Sequence, residues 1–274
     1  MGRQRGRLFV QLTEIRKRPT VSHPEKSWPA SYKLIEFEEI DSTNEEAKRR
    51  AEDGESGPLW IRADRQLAGR GRRGRNWTSE TGNLMCTLMI RPNVGAQKAA
   101  QLSFVTALAV SDFLNSFAPI EQIQLKWPND VVAHGKKICG ILLESAATGH
   151  GVDDPVNWLA IGIGVNLKHF PKDTPYGATA LGELGVEAPS PGRAIAFLAR
   201  HFDSRFVEWR DGGFEPIRSA WLAAAAGLGK SITARLPQKS IQGRFVGLDP
   251  SGALILALPS GGERLITAGE VFFD

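Results

Sequence analysis

Gly69-Arg70-Gly71-Arg72-Arg73-Gly74-Arg75, running on into Asn76-Trp77, is the stretch on which the fold turns. Glycines 69, 71 and 74 match the GxGxxG spacing of a dinucleotide fingerprint, and the run Leu59-Trp60-Ile61-Arg62-Ala63 ahead of them reads as a strand. A doubly wound nucleotide-binding fold needs that loop to open a helix whose N-terminus holds a pyrophosphate. Here the chain continues Asn76-Trp77-Thr78-Ser79-Glu80-Thr81-Gly82-Asn83, which has poor helix propensity and strong turn character. The dinucleotide reading fails on that missing helix. What remains is a loop whose glycines turn backbone N–H groups outward and whose four arginines add permanent cations with forked donors. Such a loop suits carboxylates, phosphates and phosphoanhydrides, so the chain is expected to handle an activated anionic intermediate. Clustered arginines also admit a nucleic-acid patch or a solvated surface loop.

Upstream of the loop, Tyr32–Glu38 alternates like a strand. Asp41-Ser42-Thr43-Asn44-Glu45-Glu46-Ala47 reads as a helix start, because Ser42/Glu45 and Thr43/Glu46 both have capping-box spacing. Downstream, Leu84–Arg91 is a strand ended by Pro92, and residues 98–118 have the period of one amphipathic helix with Leu102, Val105, Leu108 or Ala109, and Phe113 or Leu114 on its apolar face. Ile123–Trp127 is a strand stopped by Pro128. Val131–Ala133 and Ile138–Ser145 form a hairpin around His134-Gly135-Lys136. The glycine-punctuated apolar run Trp158–Leu167 suits a central strand closely approached by a ligand or backbone. Residues 193–209 return to helical period, and a second short helix reaches about 226. Beyond Gly227-Leu228-Gly229 the pattern is Ser231–Leu236, Ile241–Leu248, Leu254–Leu258 and Glu263–Phe273, short strands divided by turn residues, as in a small SH3-like barrel.

The bulk properties narrow the function classes. A chain of 274 residues with 42% hydrophobic and 23% charged content has room for one large and one small domain. The net charge of +4 is uneven: residues 1–33 carry +6 and residues 62–75 carry +5, leaving −7 elsewhere. A mildly acidic body argues against a surface that coats nucleic acid. Cys86 and Cys139 lie in apolar strands without a CxxC partner, so buried free thiols are expected. The basic N-terminus has no apolar signal core, and the apolar stretch near 101–118 is broken by Ser103, Thr106, Ser111 and Asp112. Cytoplasmic localisation is the expectation, with residues 1–31 as a flexible basic arm.

Three further segments gather polar groups at strand ends: Lys126-Trp127-Pro128-Asn129-Asp130, Lys136-Lys137-Ile138-Cys139-Gly140-Ile141-Leu142, and Ile161-Gly162-Ile163-Gly164-Val165-Asn166. Each alone has an ordinary explanation as a turn, a solvated hairpin tip or a strand-terminating amide. Their order and combination are more specific. With Ser42-Thr43-Asn44, GRGRRGRNW at 69–77, KWPND at 126–130, KKICGILLE at 136–144 and GIGVN at 162–166, the chain resembles the biotin protein ligases. The likeness is strong over about 32–170, and FVGLDPSGAL at 245–254 resembles that family's small C-terminal domain.

The resemblance implies an α+β fold of the class II aminoacyl-tRNA synthetase/biotin synthetase type, a mixed sheet with helices followed by a small C-terminal SH3-like β-barrel. It implies a catalytic domain over 32–227 and a small domain over 228–274. Residues 1–31 are too short and irregular for the DNA-binding domain of the family's repressor members, so no DNA binding is expected. The implied reaction makes biotinyl-5′-adenylate from biotin and ATP with Mg²⁺, releases pyrophosphate, and passes biotin to a lysine of a biotin carboxyl carrier protein. That carrier belongs to a biotin-dependent carboxylase such as acetyl-CoA carboxylase, and the enzyme is expected as a monomer or homodimer without membrane association.

Matching positions for biotin are Ser42, Thr43, Asn44, Gln66, Arg70, Gly71, Arg72 and Lys137. Those for ATP or the adenylate are Arg70, Arg72, Arg75, Trp77, Asn129 and Asn166, and no protein-held metal is expected. Small polar side chains suit a neutral ureido ring, whose buried hydrogen bonds must all be met. Arg70, Arg72 and Lys137 supply cations where two anions must approach, and Asp130 is the candidate base for the acceptor amine. A lipoate–protein ligase or octanoyl transferase of the same fold, and a nucleic-acid-binding regulator, are the alternatives.

Overall fold

Alternation in the strand Val156–Val165 explains both the packing and the opening of the site. One face carries Leu159, Ile161, Ile163 and Val165, all buried in the main core. The opposite face carries Trp158, Ala160, Gly162 and Gly164, side chains that shrink toward the strand's end. The sheet is therefore covered where Trp158 and Ala160 lie and open where the glycines lie.

The computed structural model describes residues 20–21, 28–117, 123–147, 154–172, 174 and 177–273. Its elements begin with β1 (Thr20–Val21), β2 (Lys33–Ile40), α1 (Thr43–Glu52), β3 (Leu59–Gln66) and β4 (Leu84–Ile90). Next come helices α2 (Ala96–Ala100) and α3 (Leu102–Asn115), then β5 (Ile123–Lys126), β6 (Asp130–Ala133), β7 (Lys136–Ala147) and β8 (Val156–Val165). Helices α4 (Pro191–Gly212) and α5 (Phe214–Ala223) lead to β9 (Ser231–Arg235), β10 (Ser240–Leu248), β11 (Leu254–Ala257), β12 (Glu263–Ile266) and β13 (Glu270–Phe273).

The first eight strands form one mixed sheet in the order β1-β2-β3-β4-β8-β7-β6-β5. Strands β2 and β3 are parallel, joined through α1, and the other named pairs are antiparallel. On one face α1 packs Ala47 and Ala51 against Ile61, Ala63, Met89 and Ala160. The other face is covered by α3, α4 and α5, whose Val105, Leu108, Phe113, Leu198, Phe202 and Trp221 enter the larger core. Strands β9–β13 form a second, antiparallel sheet in the order β12-β11-β10-β9-β13. Its Ile232, Phe245, Leu254 and Leu256 belong to that same core cluster.

Several expectations are corrected. The helix expected over 98–118 is instead two, α2 and α3, broken at Gln101, where the ladder tightens to Gln101 N–H→Lys98 O and Phe104 N–H→Gln101 O; residue 118 lies outside the described residues. The Gln101 side chain accepts from Trp209 Nε1 at 2.9 Å, so a tertiary contact holds the break. Helix α3 is also buried nearly all round rather than along one stripe. The last expected strand, 263–273, is two: β12 pairs with β11, and after Gly269 the chain crosses to pair β13 with β9 at the opposite edge. The small sheet thus has five strands, and no pairing joins β12 to β13 to close a barrel.

Of the expected arm, Thr20 and Val21 pair with Glu36 and Ile35 at the sheet edge. Residues 1–19 and 22–27 lie outside the described residues. Cys86 and Cys139 are buried free thiols as expected. Among the described residues, no helix is long and apolar enough to cross a membrane.

Candidate functional site

Where α1 begins, the glycine face of β8 opens into a cavity of about 390 Å³. Its far wall is the chain beyond β8, and its roof is the arginine loop. A Cβ at Gly162 would overlap Asn44 Oδ1, and one at Gly164 would overlap the Trp77 indole. Asn44 and Trp77 therefore sit on backbone, an approach only glycine permits.

At the α1 end the polar groups form a chain. Thr43 donates through its N–H and its hydroxyl to Gln66 Oε1, at 2.8 and 3.0 Å. Gln66 Nε2 donates to Ser79 Oγ at 3.3 Å. The Thr87 hydroxyl donates to Asn44 Oδ1 at 2.6 Å and lies 2.8 Å from the Thr43 hydroxyl. Asn44 Nδ2 donates to Glu144 Oε2 at 2.6 Å.

The expected capping box is absent. Ser42 is the N-cap residue, yet it makes no side-chain cap, and its own N–H donates to Asp41 Oδ1 at 2.7 Å. Competing partners explain this. Gln66 takes the Thr43 N–H, Glu46 binds Arg49 and Arg50 at 2.9 and 2.8 Å, and Glu45 pairs with Arg70. Ser42 lines the cavity instead.

The loop leaves β3 and is closed by its own backbone. Trp77 N–H donates to Gly69 O at 2.9 Å and Gly71 N–H to Arg75 O at 2.7 Å. Residues Arg72–Gly74 make one 3₁₀ turn, with Arg73 and Gly74 in the left-handed region at φ 57° and 72°. No helix follows, in keeping with rejection of the dinucleotide reading. Arg70 pairs with Glu45 and lies 3.5 Å from Glu144. Arg75 pairs with Glu270 of β13, which also lies 3.7 Å from Arg73.

Among the described residues, Arg72 has no carboxylate within ion-pair distance. Its guanidinium donates to Asn129 Oδ1 at 3.0 Å, while Asn129 Nδ2 donates to Ile141 O at 2.6 Å. Burial pulls the Arg72 guanidinium below its usual range, Arg73 and Arg75 push the same way, and Asp130 opposes them. A half-buried cation without a paired carboxylate gives up part of its hydration with no partner to replace it, which favours the arrival of an anion.

Lys137 and Asp130 form an ion pair at 2.6 Å, with the ammonium 5.8 Å from the Trp77 ring centroid. Lys136 is exposed, so the two neighbouring lysines face different ways. The hairpin turn between β6 and β7 has His134 and Gly135 at φ 49° and 74°, the double left-handed geometry of a tight two-residue turn. Lys126 also lines the cavity; burial lowers its pKa, Asp130 raises it and Lys137 lowers it.

All the sequence-derived positions line this one cavity: Ser42, Thr43, Asn44, Gln66, Arg70, Gly71, Arg72, Arg75, Trp77, Asn129, Asp130, Lys137 and Asn166. Asn166 is partly committed elsewhere, since its Nδ2 donates to Thr179 O at 3.0 Å. Sequence reasoning missed Thr87, Glu144, Glu45 and Glu270. Thr87 was legible as a lone hydroxyl in an apolar strand, on the same face as Met85 and Met89. Nothing local marks Glu270, which reaches the loop from another sheet. Among the described residues no three His, Cys, Asp or Glu cluster to hold a metal ion.

Comparison with known proteins bears on this geometry. Residues 74–223 match the biotin/lipoate A/B protein ligase family, and residues 227–274 match the biotin protein ligase C terminal domain. The chain is 47% identical over 240 residues to the biotin–[acetyl-CoA-carboxylase] ligase of Paracoccus denitrificans, covering 85% of this chain and 97% of that protein. It is 31% identical over 222 residues to the bifunctional ligase/repressor BirA of Escherichia coli, covering 79% of this chain and 67% of that one. The biotin protein ligase from Aquifex aeolicus, solved in complex with biotin and ATP, superposes with a TM-score of 0.73 at 29% identity, covering 87% and 97% of the two chains.

Proposed function

Since this chain belongs to the biotin/lipoate A/B protein ligase family, we propose that it is an ATP-dependent biotin–protein ligase acting through the cavity at the α1 end of β8. The observation that carries the reading is Arg72, a half-buried cation with no paired carboxylate among the described residues, set between a neutral polar cluster and the Lys137–Asp130 pair.

Biotin's ureido ring meets Ser42, Thr43, Asn44 and Gln66, and its carboxylate extends toward Arg70, Gly71, Arg72 and Lys137. ATP enters as its magnesium complex, with Mg²⁺ carried on the triphosphate, as that ion's preference for phosphate oxygens and water favours. Trp77, Arg75, Asn129 and Asn166 border the nucleotide. A carboxylate oxygen attacks the α-phosphorus, the bond to the bridging oxygen breaks, and pyrophosphate leaves. Arg72 and Lys137 neutralise charge as it gathers on the transferring group.

The neutral amine of a carrier lysine then attacks the acyl carbon and displaces AMP. Asp130 receives the amine proton once Lys137 has turned from it toward the substrate. The carrier is a biotin carboxyl carrier protein of a carboxylase, acetyl-CoA carboxylase being the example set by the Paracoccus denitrificans relative's name. The catalytic part spans 32–227 and the small domain 228–274.

The test is incubation with a biotin carrier domain, MgATP and either biotin or lipoate, read by mass spectrometry of the carrier. One biotinyl group per carrier, with pyrophosphate released only when biotin is present, is the expected result. Lipoylation without biotinylation overturns the assignment.

A further inference from the structure

We propose that Asn83, at the foot of β4, is a positioning residue for the nucleotide end of the cavity; this rests on the ligase reading above. Asn83 is 3% exposed, and its side chain makes four hydrogen bonds to one short segment. Its Oδ1 accepts from the N–H groups of Leu167, Lys168 and His169, each at 3.0 Å. Its Nδ2 donates to His169 O at 2.8 Å. Three donors facing one atom and a carbonyl facing the other fix which atom is oxygen. Asn83 thus sets the direction in which the chain leaves β8.

The same segment is held where it returns. Lys137 N–H donates to Gly177 O at 3.1 Å, and Thr179 N–H donates to Lys137 O at 3.0 Å. Between these anchors, Pro171, Thr174, Gly177 and Ala178 line the cavity. The cavity therefore has an order along β8. Asn44 lies over Gly162, Trp77 over Gly164, and the wall stands beyond Asn166. At about 3.3 Å per residue, positions 162 and 166 are roughly 13 Å apart. The ureido cluster lies at the near end, so the wall borders the nucleotide. It stands apart from the polar cluster under Gly162, and where it returns it bonds the backbone of Lys137 rather than that residue's side chain.

A wall of this kind acts on binding rather than on the chemical step. Asn83→Ala is expected to raise KM for ATP by about tenfold, as loss of several buried hydrogen bonds requires, while KM for biotin and kcat stay within about threefold. Asn83→Asp keeps an oxygen for the three N–H groups and is expected to hold KM for ATP within about threefold of wild type. Amide hydrogen exchange at 167–169 is expected to quicken in the alanine variant only, with no ligand present.

Equal rises in both KM values, or none, overturn the proposal, as does unchanged exchange at 167–169. If the alanine variant does not fold, the aspartate variant decides: a tenfold rise in its KM for ATP removes the acceptor role. A wild-type protein that releases no pyrophosphate with biotin refutes the ligase reading instead, and the exchange comparison still decides whether Asn83 anchors the segment.

Discussion

At the scale of single residues, the site separates arginines paired with protein carboxylates from one that, among the described residues, is not. Arg70, Arg73 and Arg75 lie against Glu45, Glu144 and Glu270, whereas among the described residues Arg72 has only the neutral oxygen of Asn129. Arg72→Ala should therefore weaken retention of the adenylate as well as its formation. Charged hydrogen bonds contribute about 1.5–3 kcal/mol, so a tenfold or greater rise in dissociation of the intermediate is expected. Released adenylate acylates exposed lysines, so at matched pyrophosphate release the variant should label an added bystander protein more than the wild type does. Equal bystander labelling would return Arg72 to the solvated face of the loop. The two lysines of β7 give a second contrast. Lys137 lines the cavity and Lys136 is exposed. Lys137→Ala should raise the barrier to adenylate formation by about 2–4 kcal/mol, as loss of one donor to a reacting oxyanion does, and Lys136→Ala should barely change it. Pyrophosphate-release rates of both variants decide.

At the scale of elements, what the sequence made legible divides by the range of the interaction. The arginine loop, the KWPND turn and the glycine strand were readable because glycine spacing, a strand-ending proline and period-2 burial are local constraints. The capping box failed because its hydroxyls and carboxylates met stronger partners, Gln66 for Thr43 and Arg70 for Glu45, both more than twenty residues away. The helix over 98–118 broke because Gln101 is held by Trp209, more than a hundred residues on. Glu144, Thr87 and Glu270 were hidden for the same reason, since their roles exist only once β4 and β7 lie beside α1 and β13 lies beside the loop. The loop itself carries a prediction. Its 3₁₀ turn has no buried residue, and it is held by a few backbone bonds and partly exposed ion pairs. Exposed pairs of this kind contribute about 0–1 kcal/mol each, too little to hold a glycine-rich segment tightly. Biotin with MgATP should therefore slow amide exchange over residues 69–77 markedly. Equal exchange with and without ligands would show a loop already set for binding.

At the scale of the molecule, the small sheet is built into the large one rather than tethered to it. Glu270 reaches the arginine loop, Trp127 Nε1 donates to Gly252 O at 3.1 Å, and Lys126 lies over the rings of Phe272 and Phe273 at 5.7 and 5.3 Å. The KWPND turn that carries Asn129 and Asp130 therefore rests partly on the C-terminal sheet, and the two should unfold as one unit. Gly252 is the place to test this. It has φ +90°, and a Cβ there would lie 2.7 Å from the Phe104 ring, with Phe214 beside it. Gly252→Ala adds a left-handed backbone cost to an overpacked contact, each on the order of 1–3 kcal/mol. For a chain of this size, about 3 kcal/mol lowers Tm by roughly 6–12 °C. Calorimetry of the wild type should show a single transition, and the variant should show the same single transition displaced downward, because the aromatic contact lies in the core both sheets share. Two transitions, with only one moved by the substitution, would mean that the C-terminal sheet folds alone and that Glu270 meets the loop by docking.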